Sequence, residues 1–295
     1  MFKKEVELFE FPTSLGLRKK RHEISPGVKD LPDWLRTLGF YQGMNIYDTF
    51  HLAAPKYLMD FNETTGLLNA DHAIQYAKEQ AFILHKQLHN DYFKLIIGGD
   101  CSVLIGTSLA LKQKGTYALF FLDGHTDYIP SECSQTGGIA GMDLAVVSEY
   151  GEENLTNISG LKPYFEEDYI YCVGNRELTP SYVAPILNTN INYYDLNETR
   201  STGTTSITQS FLQMAEDNAL DGFFIHLDVD VLSDEIMPAV DSRAEGGLTY
   251  RELARLIRPL IYHPRCTGLE ITTLDPSLDT TGEITRRFIK FFYDL

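Results

Sequence analysis

The sequence predicts an α/β fold of three layers, a mostly parallel sheet flanked by helices on both faces, carried by residues 1–295 as a single domain. Three observations predict it. Apolar runs of strand length alternate along the chain with stretches of helical periodicity, the pattern of successive βαβ units. The central runs are continuously apolar, as strands covered on both faces must be. No repeat, low-complexity segment or composition break marks a linker, and 295 residues can bury a sizeable core in one unit.

The elements follow in order. The opening segment "MFKKEVELFEF" is too charged for a signal peptide, and no apolar run approaches the length of a membrane span. A helical pattern covers 69–90, "NADHAIQYAKEQAFILHKQLHN". The strand "KLIIGG" (94–99) then runs into Asp100 and Cys101, just ahead of another helical stretch. Further strands are "YALFFLD" (117–123), "YIYCVG" (169–174), "INYYDL" (191–196), "GFFIHLDVD" (222–230) and "TGLEITTLD" (267–275). Helices are predicted over "TSITQSFLQMAEDNA" (205–219), "TYRELARLIRPLIYH" (249–263) and "GEITRRFIKFFYDL" (282–295).

The formal charge is -16, with 41 acidic against 25 basic residues. Such a surface repels phosphate backbones and argues against nucleic-acid binding, while it suits a cationic small-molecule substrate. The basic run "RKKRH" (18–22) is too short to change that and reads as a solvated loop. The four cysteines are scattered, with no CxxC pair, which points to a reducing compartment and a cytoplasmic protein with no membrane role. Six histidines (His22, His51, His72, His85, His89, His263) have no ligand-type partner at useful spacing and read as surface or packing residues.

In open α/β sheets, ligands sit beyond the carboxyl ends of the strands. One strand ends in Asp123-Gly124-His125-Thr126-Asp127, whose alternation puts Asp123, His125 and Asp127 on one side if the chain stays extended. Another ends in His226, Asp228 and Asp230, again at period two. Aspartate is common as a turn residue at strand ends, so one such motif would carry little. Two of them bring four carboxylates and two imidazoles together, a charge density that a divalent metal relieves and two metals relieve best. Oxygen-rich ligands with imidazole favour Mn²⁺, Mg²⁺ or Fe²⁺ over a structural zinc.

The motifs "GGDCS", "DGHTD", "HLDVDVLSDEIMP", "GGLTYREL" and "LEITTLDPSLD" fall in the order and spacing of the ureohydrolases, and over roughly residues 90–285 the chain resembles that arginase, agmatinase and formimidoylglutamase superfamily. The resemblance implies an arginase-like fold, homo-oligomeric assembly and two Mn²⁺ per chain that activate water against a guanidinium or formimidoyl carbon. It implies Asp123 and Asp228 as bridging ligands, His125 and Asp230 as the rest of one shell, and Asp127 as a ligand of the other metal that also accepts a hydrogen bond from the attacking group. Cys101 takes the place of the family's usual histidine ligand. As a softer donor it would tilt that position toward zinc, cobalt or iron, or else it is a buried spectator thiol beside a single metal.

The substrate shell departs from the family. Ala140 stands where arginases carry a proton-shuttling histidine, and Thr273 where they bind the guanidinium with a glutamate. Thr179, with Glu177 two residues earlier, matches the acidic residue that holds the substrate amine. Glu270 is an odd number of residues from Thr273 and faces the other way on a regular strand. The loop "PAVDSRAEGG" introduces Asp241 and Arg243, and the 128–142 loop adds Glu132. Glu132, Asp241 and Thr273 are the candidate substrate contacts. Asp127 and His226 are the candidate catalytic groups. His226 lies on the ligand side of its strand and would either orient a ligating carboxylate, transfer a proton in place of the missing shuttle, or be a core histidine bonded to backbone. The expected activity is metal-dependent hydrolysis of a C–N bond in a guanidino or formimidoyl compound, with arginine or a modified arginine as the default substrate. The competing expectation is a non-catalytic binding or regulatory subunit with an impaired metal centre.

Overall fold

Eight parallel strands form one sheet in the computed structural model, which describes residues 4–21 and 25–295. They are β1 (Glu5–Phe11), β2 (Asn45–His51), β3 (Phe93–Gly98), β4 (Tyr117–Leu122), β5 (Ile170–Val173), β6 (Asn192–Tyr194), β7 (Gly222–Asp228) and β8 (Cys266–Thr272). In space they run β2-β1-β3-β8-β7-β4-β5-β6, every neighbouring pair parallel. The α-helices are α1 (Leu31–Thr37), α2 (Ala70–His85), α3 (Val103–Lys114), α4 (Asp143–Val147), α5 (Glu153–Thr156), α6 (Pro180–Val183), α7 (Leu196–Thr202), α8 (Thr204–Asp217), α9 (Tyr250–Ile261) and α10 (Glu283–Asp294). Among the described residues no helix is long and apolar enough to cross a membrane. His22 lies outside the described residues.

Alternation along the strands builds the two outer interfaces. Phe120, Phe223, Ile225 and Leu269 pack with apolar residues of α1, α8, α9 and α10. Phe121, Phe224 and Ile96 pack on the opposite face with α2, α3, α4 and α5. Every residue of β3, β4 and β7 is buried, which is why these read as unbroken apolar runs. Two capping boxes, Asp195 with Glu198 and Thr249 with Glu252, fix where α7 and α9 begin.

β1 was not predicted as a strand. Its segment carries Glu5, Glu7 and Glu10, yet six of its seven residues are buried. Glu7 forms an ion pair with Lys94 of β3 at 2.9 Å, with both side chains almost fully buried, and Glu10 pairs with Arg36 of α1. Edge strand β2 is largely exposed and carries no continuous apolar face.

Candidate metal centre

Parallel strands deliver all their carboxyl ends to one edge of the sheet, and four neighbours there, β3, β8, β7 and β4, supply the chemical groups. β3 leads through Gly98-Gly99-Asp100 to Cys101, which is fully buried. β4 stops at Leu122, and Asp123 then turns the chain by accepting the backbone N–H of His125 at 2.6 Å. Asp127 sits in the left-handed region at φ 44°, a conformation aspartate tolerates better than most residues. β7 ends at Asp228, whose Oδ1 accepts the backbone N–H of Asp230 at 2.7 Å across a single 3₁₀ turn. The extended, period-two geometry expected for both motifs is therefore corrected in part: His226 and Asp228 lie within β7, while Asp230 and the whole of Asp123–Asp127 lie beyond the strand ends, where turns bring the side chains together. The two turns are joined by the Gly124 N–H, which donates to Asp230 Oδ1 at 2.8 Å. A Cβ at Gly124 would stand 2.4 Å from Arg176 Nη1 and 2.8 Å from Asp230 Oδ1, so only glycine fits.

The ligand-type atoms fall into two regions. In the outer one, His125 Nδ1 lies 2.9 Å from Asp230 Oδ2 and 3.6 Å from Asp123 Oδ1. In the inner one, Cys101 clusters with Asp123 and His226, and again with Asp127 and Asp143; the donor atoms within each group lie within 4.8 Å of one another. Asp228 falls in none of these groups among the described residues. Its Oδ2 accepts from Cys101 Sγ at 2.9 Å, and its Oδ1 also accepts from the Thr273 hydroxyl. Asp143, at the start of α4, is completely buried and was missed by sequence reasoning. Its one signal was an aspartate heading the apolar run "GMDLAVV", which reads equally well as a helix start.

The residues present fit a divalent cation. Asp123 Oδ2, Asp143 Oδ2 and His226 Nε2 are buried polar atoms with no hydrogen-bond partner. Each such atom is costly to leave unpaired, and three at one cluster mark a place shaped for a positive charge. Burial, reinforced by neighbouring carboxylates, pushes the carboxyls of Asp123, Asp127, Asp143 and Asp228 above the usual range. Burial also pushes the Cys101 thiol up. At Asp230 burial acts in the same direction, but His125 outweighs it and holds the carboxyl below its usual range. For His125 burial works against protonation, and the charges of Asp230 and Asp123 overcome it.

Above this cluster opens a cavity of about 220 Å³. Cys101, His125, Asp127, Asp228 and Asp230 reach its floor, Ala140 and Thr273 line its wall, and Glu177 and Asp241 contribute further carboxylates. Thr273, at φ 61°, spends its hydroxyl on Asp228. Asp241 is paired with Lys20 at 3.0 Å, and Arg243 with Asp234 at 2.6 Å. Glu132 is exposed and does not line the cavity. Neither does His226, which stacks on Phe121 beneath the floor, so a proton moving from it to a substrate would have to cross the carboxylate layer. Glu270 also stays out of the cavity and bonds His226 instead.

A model of the arginase family matches residues 16–292. The chain belongs to the arginase family. It is 29% identical to the arginase of Bacillus subtilis over 278 residues, covering 94% of this chain and 92% of that protein. It is 23% identical to a Staphylococcus aureus arginase over 291 residues, covering 97% and 95%. Among solved structures, the arginase of Bacillus caldovelox superposes with a TM-score of 0.85 at 23% identity, covering 98% of this chain and 97% of that one. The formimidoylglutamase of Bacillus subtilis superposes at 0.73 and 22% identity, covering 98% and 85%. The protein is thus an arginase-family amidinohydrolase with that family's parallel-sheet fold.

For this arginase-family chain the perturbed groups predict how metal and pH act together. An aspartate whose folded pKa is raised stabilises the fold below its ordinary value of about 3.9, and that contribution is lost as pH rises toward the folded value. His125, also raised, contributes fully below about 6.5 and is likewise lost as pH rises. Asp230 has the opposite sign, acting only near and below about pH 4. A bound cation removes the need to protonate the carboxylates. The rise in melting temperature on adding Mn²⁺ should therefore be larger at pH 8 than at pH 5.5. Thermal melts with and without the ion at both values check this, and an equal or smaller rise at pH 8 would contradict the assignment.

Proposed function

We propose that the protein hydrolyses a C–N bond of a small cationic guanidino compound, arginine or a modified arginine by default, in the cavity above the carboxylate cluster. The observation that carries this reading is the convergence of Cys101, His125, Asp127, Asp228 and Asp230 on one cavity floor, with Asp123 and Asp143 clustered against them, in a chain of the arginase family. Divalent cations bound there, Mn²⁺ by default and two per chain, would supply Lewis acidity and lower the pKa of water. The outer cation would rest on Asp123, His125 and Asp230.

The chain's own residues do the rest. Water adds to the guanidinium carbon, and Asp127, on the cavity floor, accepts its proton and returns it to the departing nitrogen as the C–N bond breaks. Glu177 and Asp241 give the substrate's cationic groups partners of opposite charge. With Thr273 in the glutamate's place and Ala140 in the shuttle's, recognition rests on a different set of contacts from plain arginase. This supports a substrate that differs from arginine at or near its guanidinium. The reading extends to a cytoplasmic homo-oligomer, in which the free cysteines stay reduced. Nothing in the geometry favours a non-catalytic subunit.

A screen of guanidino and formimidoyl compounds for urea and amine release, run with Mn²⁺, Co²⁺, Zn²⁺ and Fe²⁺, tests the proposal; loaded protein silent on every compound would overturn it. On the substrate so found, Glu177→Gln should raise KM about tenfold, roughly 1.4 kcal/mol, with kcat nearly unchanged. An unchanged KM would remove Glu177 from the binding site.

A further inference from the structure

Behind the cavity floor stands a chain of buried groups that the activity as described leaves without a role. β7 and β8 pair His226 directly with Glu270, and His226 Nδ1 lies 2.6 Å from Glu270 Oε1. The other Glu270 oxygen accepts the Thr107 hydroxyl of α3 at 2.7 Å. His226, Glu270, Asp143 and Thr107 are all completely buried. With Nδ1 hydrogen-bonded to a carboxylate, the imidazole presents Nε2 as a free lone pair. That Nε2 has no hydrogen-bond partner and lies in the inner cluster with Cys101 and Asp123, 3.8 Å from Asp143 Oδ2. A carboxylate fixing one ring nitrogen of a histidine while the other faces a set of anionic donors is the arrangement that orients metal-ligating histidines.

We propose that His226 Nε2, Cys101 and Asp143 are ligands of the inner cation together with Asp123 and Asp127, and that Glu270 is the positioning residue that holds the His226 ring. The imidazole missing after β3 is thus supplied from within β7, two strands along the same sheet. The inner position then offers sulfur, nitrogen and oxygen donors, while the outer position offers oxygen donors and one imidazole. Thiolate with imidazole selects a borderline ion of the zinc class over manganese. The protein is therefore a site of mixed preference, taking a softer ion inside and a harder one outside. This inference rests on the reading of the strand ends as a metal centre.

Co²⁺ is the probe, because thiolate ligation gives it intense near-ultraviolet charge-transfer absorption. Metal-free full-length protein titrated with Co²⁺ should bind two ions per chain and develop that absorption. Cys101→Ser should abolish the absorption. His226→Asn should weaken one ion more than 100-fold and leave the other in place. Glu270→Gln, which removes no ligand but changes the partner of His226, should weaken the same ion about 10–100-fold, as loss of a partner behind a ligand does. In competition, Zn²⁺ should displace Mn²⁺ from one position of the wild type, and His226→Asn should lose that preference. Circular dichroism and melting curves establish that each variant is folded; if His226→Asn is not, Glu270→Gln and Asp143→Asn carry the same readouts. Two ions bound without thiolate absorption, or an inner ion unaffected by these substitutions, would overturn the inference alone. No uptake of Co²⁺, Zn²⁺ or Mn²⁺ by the wild type would overturn the metal centre itself and the inference with it.

Discussion

Asp123→Ala should leave the protein with well under one divalent ion per chain and hydrolysis reduced by more than about 100-fold, the upper end of what loss of even an outer partner costs a metal site. Asp123 belongs to both the outer and the inner group of donors. One oxygen turns the chain toward His125, and the other is buried without a hydrogen-bond partner. Removing it takes a shared donor from two positions at once, whereas loss of His125 or His226 takes one from a single position. The variant also removes one carboxylate from a crowd of mutually repelling ones, so without metal it should melt no lower than metal-free wild type. That pairing separates metal loss from unfolding. Elemental analysis after manganese loading, alongside melts of both metal-free forms, checks it; retention of two ions would refute the shared-ligand assignment.

Lys94→Ala should be the most damaging single change far from the cavity. Lys94 and Glu7 face each other across β3 and β1 and pair at 2.9 Å, with side chains 1% and 2% exposed. Lys94 Nζ also donates to the Tyr92 carbonyl at 2.8 Å, and Asn90 donates to the Glu7 carboxylate at 2.9 Å. Deleting one partner leaves a buried charge uncompensated and costs about 3–5 kcal/mol. In a chain of this size that is a fall of roughly 10 °C in melting temperature. The double variant Glu7→Leu with Lys94→Met should recover most of it, because replacing both partners by apolar groups is often neutral or stabilising. A loss below about 1 kcal/mol for the single variant, the size of an exposed pair, would mean that water reaches these groups.

The same pair explains what the sequence could and could not reveal. β3, β4 and β7 are buried on both faces and announce themselves as apolar runs. β1 is nearly as buried, but Glu7 and Glu10 are neutralised by partners such as Lys94, 87 residues from Glu7, and no local pattern carries that information. The site divides along the same line. Cys101, the D-x-H-x-D motif and the D-x-D motif stand at strand ends with short-range spacing, and were legible. Asp143 was not, because a single aspartate at a helix start looks like an ordinary N-terminal residue until three strands place their donors around it. His226 was legible as facing the ligands, but its depth was not: alternation gives the side of a strand, not the distance below the cavity.

The separation of a floor built at the strand ends from a mouth built on more distant loop positions has a consequence for laboratory evolution. Cys101, Asp123, His226 and Glu270 are held at or within the central strands, where neighbouring backbones fix every position. The residues around the opening, Ser134, Gln135, Thr136, Glu177, Tyr182, Asp241 and Ser242, come from three connections outside the sheet. Libraries confined to those seven positions can sample new substrates at little risk to folding or metal affinity, while the same number of changes in the floor would forfeit both. A lineage starting from this chain should therefore change its substrate faster than its metal.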